Sequence, residues 1–352
     1  MKYFKKLAAL MLALLMVFSL AACSSSDDTE EEETEAAEET EAEAEEEEEE
    51  EETEAAASDE TYLIGICQLV QHDALDAATE GFEDALTDLL GDAVEFDEQN
   101  AAGDSATCVT ICSTLVAEEC DLILANATAA LQAAAAATSE IPILGTSITD
   151  YATALEIDDW TGATGTNISG TADLAPLDQQ ADVLNELFPD AETVGILYCS
   201  AEANSKYQAD VITEYLEAYG YTVEIFTFAD SNDVASVTQS ACESVDVIYI
   251  PTDNTAASCT EAINNVALPA GVPIIAGEEG ICSGCGVATL SISYYDIGYA
   301  AGEMAYDILV NGADITTMEV QYAAEVTKEY NAEIAETLGI EIPDDYVAIE
   351  TE

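Results

Sequence analysis

The 352-residue chain contains no arginine, and its only basic residues are five lysines and one histidine. Lys2, Lys5 and Lys6 crowd the start, so only Lys206 and Lys328 remain for the rest of the chain. That excludes nucleic acid as a partner, because phosphates require cationic contacts, and it disfavours free polyanions. The usual arginine clamp for a carboxylate is missing too, so a carboxylate ligand would have to rely on backbone N–H groups, hydroxyls or Lys206. With His72 as the sole histidine, no Ser/His/Asp set suggests itself. The chain also carries no HExxH, no P-loop and no G-x-G-x-x-G after a strand pattern. We therefore expect no enzyme and no cofactor. Nine cysteines follow Cys23, an odd number that argues against a fully paired disulfide framework. The close pairs are Cys108/Cys112 and Cys282/Cys285. With no second CxxC we expect no metal site, and a local disulfide at 282/285 stays open.

Long apolar runs are also lacking. The stretch from Leu7 to Leu20 is too short to span a bilayer well. After three lysines and before Leu20-Ala-Ala-Cys23 it reads as an export signal. Leu-Ala-Ala-Cys resembles the lipobox of bacterial lipoproteins. That resemblance implies cleavage after residue 22, a lipid such as palmitate at Cys23, and an anchor on the extracytoplasmic face of the cell membrane.

What the chain has in excess is negative charge, a formal −69 at pH 7. Of its 74 acidic residues, 22 lie between Asp27 and Glu60. With little besides alanine to bury, residues 24–60 are expected to be a disordered tether. Fully stretched it reaches on the order of 100 Å.

From residue 61 onward, strand and helix patterns alternate, which points to parallel α/β architecture. Strands are expected at 62–67, 94–96, 122–125, 141–144, 194–198, 223–228, 247–250, 273–276 and 287–291. Helices are expected at 73–90, 105–117, 128–138, 176–187, 201–219, 233–243, 254–266, 295–310 and 331–338. A long loop is expected at 146–170. The second half echoes the first: Ile64-Gly-Ile-Cys67 matches Val194-Gly-Ile-Leu197, Asp121–Thr128 matches Asp246–Asn254, and Ile141-Pro-Ile-Leu144 matches Val272-Pro-Ile-Ile275. Three matches in one order suggest two similarly built lobes.

If both lobes carry parallel sheets, the loops after their strands converge on a cleft. Candidate ligand-binding residues are Gln68, His72, Asp73, Asn126, Thr128, Ser147 and Asp150 from the first lobe. The second lobe offers Asn204, Thr252, Asp253, Asn254 and Glu278. Helix N-termini at Thr128 and Asn254 suit a ligand carboxylate, and Asp73, Asp150, Asp253 or Glu278 suits an ammonium group. Each has a plainer reading. Thr128, Asp253 and Asn254 serve equally as helix caps, Gln68 as a loop brace, His72 as a surface residue and Glu278 as part of a solvated turn. Tyr151 and Trp160 read as core or as ring-stacking residues.

The segments Ile66-Cys-Gln-Leu-Val-Gln-His-Asp-Ala-Leu-Asp76, Asp121-Leu-Ile-Leu-Ala-Asn-Ala-Thr128, Ser200-Ala-Glu-Ala-Asn-Ser205, Pro251-Thr-Asp-Asn-Thr255 and Ala276-Gly-Glu-Glu279 together resemble one family. It is the substrate-binding lipoproteins of bacterial ABC importers, in the group similar to the tryptophan-binding protein. The resemblance implies a periplasmic-binding-protein-like type I fold, two Rossmann-like lobes with parallel sheets and three hinge crossovers near 171–176, 291–294 and 319–322. It divides the chain into a signal peptide (1–22), a lipidated Cys23 with tether (23–60), a first lobe (61–173 and 294–320) and a second lobe (174–293 and 321–352). It implies an aromatic or hydrophobic amino acid as ligand and a membrane permease as partner. A nucleoside, a cationic solute or a ligand-sensing surface role is the alternative.

Overall fold

The computed structural model describes residues 61–349. The expected signal peptide, lipidated Cys23 and acidic tether lie outside the described residues. Along the chain, β1 (Tyr62–Gln68), α1 (Asp73–Leu90), β2 (Val94–Asn100), α2 (Ser105–Ala117), β3 (Leu122–Asn126), α3 (Thr128–Ala137), β4 (Ile143–Ile148), α4 (Tyr151–Ala154) and β5 (Ile168–Ala172) come first. The rhythm restarts with α5 (Leu177–Leu187), β6 (Thr193–Cys199), α6 (Ala203–Tyr219), β7 (Thr222–Phe228), α7 (Val234–Cys242), β8 (Val247–Ile250), α8 (Asn254–Ala257), α9 (Thr260–Ala270), β9 (Ile274–Ala276), α10 (Glu279–Cys285) and β10 (Ala288–Ser291). The chain ends with α11 (Tyr294–Leu309), β11 (Gln321–Tyr322), β12 (Thr327–Tyr330), α12 (Ala332–Leu338) and β13 (Val347–Ala348).

Two sheets form. The first has the order β11-β5-β4-β3-β1-β2 and the second β13-β12-β10-β9-β8-β6-β7. Pairing is parallel except between β10 and β12. This is the expected two-lobed α/β fold. In each sheet the order reverses beside the first strand, between β1 and β3 and between β6 and β8. In such sheets the crevice at that reversal is the natural ligand position.

The central strands bury both faces. In β3, Leu122 and Leu124 face the layer of α1 and α11, while Ile123 and Ala125 face that of α2 and α3. Such strands read as continuous apolar runs, which is why they are visible in the sequence. The echo between the halves has a structural counterpart. The Asp121 carboxylate accepts the N–H of Leu63 at the start of β1 (2.8 Å), and the Asp246 carboxylate accepts those of Glu192 and Thr193 at the start of β6 (2.9 Å each).

The chain crosses between the sheets at 173–176, 292–293 and 323–326. The third crossing corrects the expected 319–322. Gln321 and Tyr322, assigned to the second lobe from sequence, pair with Thr171 and Ala172 on the edge of the first sheet. A two-residue exposed edge strand carries no apolar pattern to reveal it. The expected loop at 146–170 is likewise shorter. Its end is the buried strand β5, whose Ser, Gly and Thr residues mask its place between β4 and β11. The expected helix at 254–266 is two helices, interrupted at Ser258 and Cys259. Strand β12 and helix α10 were not expected. The polar sequence of β12 is held by antiparallel pairing with β10.

Helices α1 and α11 pack backbone to backbone in the first lobe. A Cβ on Gly298 would collide with the carbonyl oxygen of Ala78, and one on Gly302 would approach that of Phe82. Gly298→Val is therefore expected to cost about 2–3 kcal/mol by overpacking and to lower Tm by about 5 °C. Glu303→Ala, on the exposed face of the same helix, is expected to leave Tm unchanged. Equal melting temperatures for the two variants would refute this account of the packing.

Candidate functional site

The carboxyl ends of β1, β3 and β4 face those of β6, β8 and β9 across the interlobe groove. At its centre is a small cavity of about 10 Å³. Five of the sequence candidates from the second lobe line it, namely Asn204, Thr252, Asp253, Asn254 and Glu278, together with His72 and Ser147 from the first. Direct contacts join the lobes here. His72 Nε2 lies 3.3 Å from Asn254 Oδ1, and the hydroxyls of Thr149 and Thr252 lie 3.4 Å apart. Burial lowers the His72 pKa, so a neutral ring donating to Asn254 accounts for the contact.

Without arginine, the cleft carboxylates are satisfied by backbone N–H groups. Asp253, 1 % exposed, accepts from Cys199 N at 2.7 Å and caps α8 by accepting from Ala256 N at 2.8 Å. Each oxygen thus accepts one main-chain hydrogen bond, so Asp253 is also the cap that the plainer reading expected. The N–H groups of Asn254 and Thr255 are taken by the Glu202 carboxylate at 3.0 and 2.8 Å. The start of α8 is therefore filled by the protein's own anion, which corrects its expected role as a carboxylate anchor. Glu278 is a buried cap rather than a solvated turn, and its oxygens accept from Gly280 N and Ile281 N. Helix α3 differs, because Ala127 precedes it and provides no side-chain cap.

Other candidates are structural. Gln68 is buried and braced by Val70 O, Asp76 and the Thr79 hydroxyl. Asn126 donates to Leu75 O and to the Thr79 hydroxyl. Asp150 caps α4 by accepting from Thr153 N at 2.7 Å. Asp73 is exposed and lines a separate hinge-side cavity with Glu278. Tyr151 is core: its hydroxyl donates to Gly145 O at 3.0 Å and its ring stacks on Trp160 at 6.3 Å. Cys282 and Cys285 are buried free thiols.

The residue that sequence reading missed is Asp173. It is 5 % exposed and lies in the first crossover. Oδ2 accepts the Tyr294 hydroxyl at 3.0 Å, whereas Oδ1 is buried without a partner. Ser147, 5 % exposed, is in the same state: its hydroxyl is unpartnered, and its backbone is held at φ 56 where β4 is irregular. A left-handed conformation at a non-glycine residue beside a cavity is strain of the kind that marks binding sites. Both residues line the central cavity.

A second cavity of about 230 Å³ adjoins the first and shares Asn204 and Asn254 with it. Leu69, Val70 and Ala129 give it apolar walls, and Thr128 and Gln132 supply polar groups. Among the described residues no group of three or more His, Cys, Asp or Glu side chains converges to hold a metal ion, and no helix is long and apolar enough to cross a membrane.

Residues 63–352 match the family described as ABC transporter substrate binding protein. The chain is 37% identical over 263 residues to a tyrosine-binding protein of Clostridioides difficile (strain R20291), covering 73% of this chain and 76% of that one. It resembles the crystal structure of an ABC domain in complex with L-Trp from Streptococcus pneumoniae, at 33% identity and TM-score 0.77, covering 81% of this chain and 96% of that one. It also resembles the ligand-free, open structure of a substrate binding protein with adhesive properties from Clostridium difficile, at 36% identity and TM-score 0.64, covering 83% and 100%. The higher TM-score falls to the complex despite its lower identity. In the present structure the two lobes touch across the groove through His72–Asn254 and Thr149–Thr252.

Burial pushes the carboxyl of Asp173 up to about 6 and that of Glu278 up to about 7. Burial, with the neighbouring Glu202 charge, pushes Asp253 up to about 8. Unfolded carboxyls titrate near 4. Between those values the folded protein holds more protons than the unfolded chain, so these groups add stability that is complete near pH 4 and lost as pH rises through about 6 to about 8. Melting temperature is expected to climb as buffer pH is lowered from about 8 to about 5. A flat or falling Tm across that window would contradict burial of these carboxyls.

Proposed function

The chain belongs to the ABC transporter substrate-binding proteins and is the solute-binding protein of an importer, and on that premise we propose that its cleft captures an aromatic amino acid. The observation that carries this reading is the pair of unpartnered buried groups, Asp173 Oδ1 and Ser147 Oγ, in one interlobe cavity. A carboxylate and a hydroxyl suit the ammonium and carboxylate of a zwitterion. The ring extends into the adjoining 230 Å³ cavity, where apolar walls end in Thr128 and Gln132, a polar end suited to a phenol hydroxyl. The tyrosine-binding relative and the L-Trp complex agree with this class of ligand.

Binding works by population shift. A ligand that touches Asp173 on the crossover, Ser147 on the first lobe and Asn204 on the second favours the closed state by its extra contacts there. The permease then reads closure. The sequence before the folded part supports export, a lipid at Cys23 and display on the extracytoplasmic face.

Asp173→Asn tests the assignment. It preserves size and the Tyr294 contact but removes the charge opposite the ammonium. A charged hydrogen bond contributes about 1.5–3 kcal/mol, so affinity for tyrosine or tryptophan in calorimetry is expected to fall about 10- to 100-fold. Asp92→Asn, exposed and remote, is expected to change nothing. Undiminished affinity in Asp173→Asn would overturn the role given to this residue. A wild-type protein that binds neither amino acid would overturn the ligand class.

A further inference from the structure

Three carboxylic acids line the central cavity: Asp173, Asp253 and Glu278. Asp253 and Glu278 have both oxygens occupied by main-chain N–H groups of their own lobe. Asp173 does not. The Tyr294 hydroxyl donates to Oδ2 at 3.0 Å, and Oδ1 is buried without a partner. No cation among the described residues answers its charge. Lys206 pairs with Asp210, and Lys328 with Glu186 and Asp345. His72 lines the same cavity, but burial keeps its ring neutral. A carboxylate buried without a counter-charge is costly, and it escapes the cost by taking up a proton. Burial accordingly pushes the Asp173 carboxyl up to about 6. Because Oδ2 accepts from Tyr294, the place for that proton is Oδ1. A protonated Oδ1 is a donor, and an ammonium group carries donors only. An ammonium that reaches Oδ1 therefore requires the proton to leave.

We propose that the cleft exchanges a proton for its ligand: as the ammonium of a captured amino acid docks, Asp173 Oδ1 gives up a proton to solvent. This inference rests on the amino acid reading of the cleft and adds the state in which the empty site waits. Charge is conserved. A neutral carboxyl and an ammonium become a carboxylate–ammonium pair, and one H⁺ passes to the buffer. The other titratable groups that face Asp173 do not exchange in this way. Tyr294 from α11 and Tyr151 from α4 stay protonated, because burial pushes both hydroxyls well above their usual range. Asp253 and Glu278 offer no free oxygen, and His72 is already neutral. In acid the proton competes with the ligand for Oδ1. Affinity is thus expected to be level above about pH 7 and to fall about tenfold between pH 7 and pH 5.

Calorimetric titration of the full chain with tyrosine and with tryptophan tests the exchange. Run in phosphate and in imidazole, which take up a proton with very different heats, it counts the protons released. Wild type is expected to release about half a proton per ligand at pH 6 and close to none at pH 8. In Asp173→Asn the heats in the two buffers are expected to agree. Its affinity, lower than wild type at pH 7, is expected to stay level down to pH 5, so that the two proteins converge in acid. The wild-type buffer comparison stands whether or not that variant folds. Wild type that binds with equal heats in both buffers at pH 6, and with level affinity to pH 5, would overturn the proposal and leave the amino acid reading intact. Release that persists in Asp173→Asn would overturn it by assigning the proton to another group. A wild type that binds neither amino acid would overturn the reading beneath it, and the proposal with it.

Discussion

A protein with no arginine still has to bury carboxylates near its cleft, and it does so by giving them backbone N–H groups. Glu202 and Glu278 each accept two main-chain hydrogen bonds at helix starts, Asp253 accepts one at the start of α8 and one from the end of β6, and the exposed Asp246 accepts two at the start of β6. Each such bond satisfies a main-chain donor and a carboxylate oxygen together. The arrangement fixes how β6, β8 and α8 meet, because Glu202 and Asp253 tie the start of α8 to the loop after β6. It also means that helix ends near the cleft are not generally free for ligand.

Against that background Asp173 is the exception. It sits on a crossover rather than at a helix start, has one tyrosine hydroxyl for a partner, and keeps one oxygen unpaired. Among the cavity's lining residues only Ser147 shares that unpartnered state. The partner of Asp173, Tyr294, begins the helix that follows the second crossover, so the bond links two of the crossings between the lobes. Small lobe-to-lobe contacts at His72–Asn254 and Thr149–Thr252 join the two halves beside it.

The duplication of the lobes gives the cleft its symmetry and also its asymmetry. Strands β3 and β8 occupy equivalent places in their sheets. Yet α3 starts after Ala127 without a side-chain cap, whereas α8 is capped by Asp253 and by Glu202. The two jaws therefore offer different chemistry from the same scaffold. One presents open helix donors and apolar walls, and the other a dense polar network that holds its own loops.

Much of the fold was legible in the sequence. Helix α1 runs over the expected 73–90 because its apolar positions repeat at helical spacing. β3 and β8 stand out because strands buried on both faces are uninterruptedly apolar. The family motifs and the missing arginine were legible too, since both are properties of residue identity alone. Edge strand β11 and strand β12 were not, because pairing with distant partners rather than local pattern holds them. The cleft's division of labour was also hidden. That Asp253 is engaged depends on Cys199, 54 positions away, and that Asp173 is buried depends on Tyr294, 121 positions away. Sequence determined which polar groups the cleft would contain. Only the tertiary structure decided which of them were already satisfied, because satisfaction depends on partners that the chain brings together by folding.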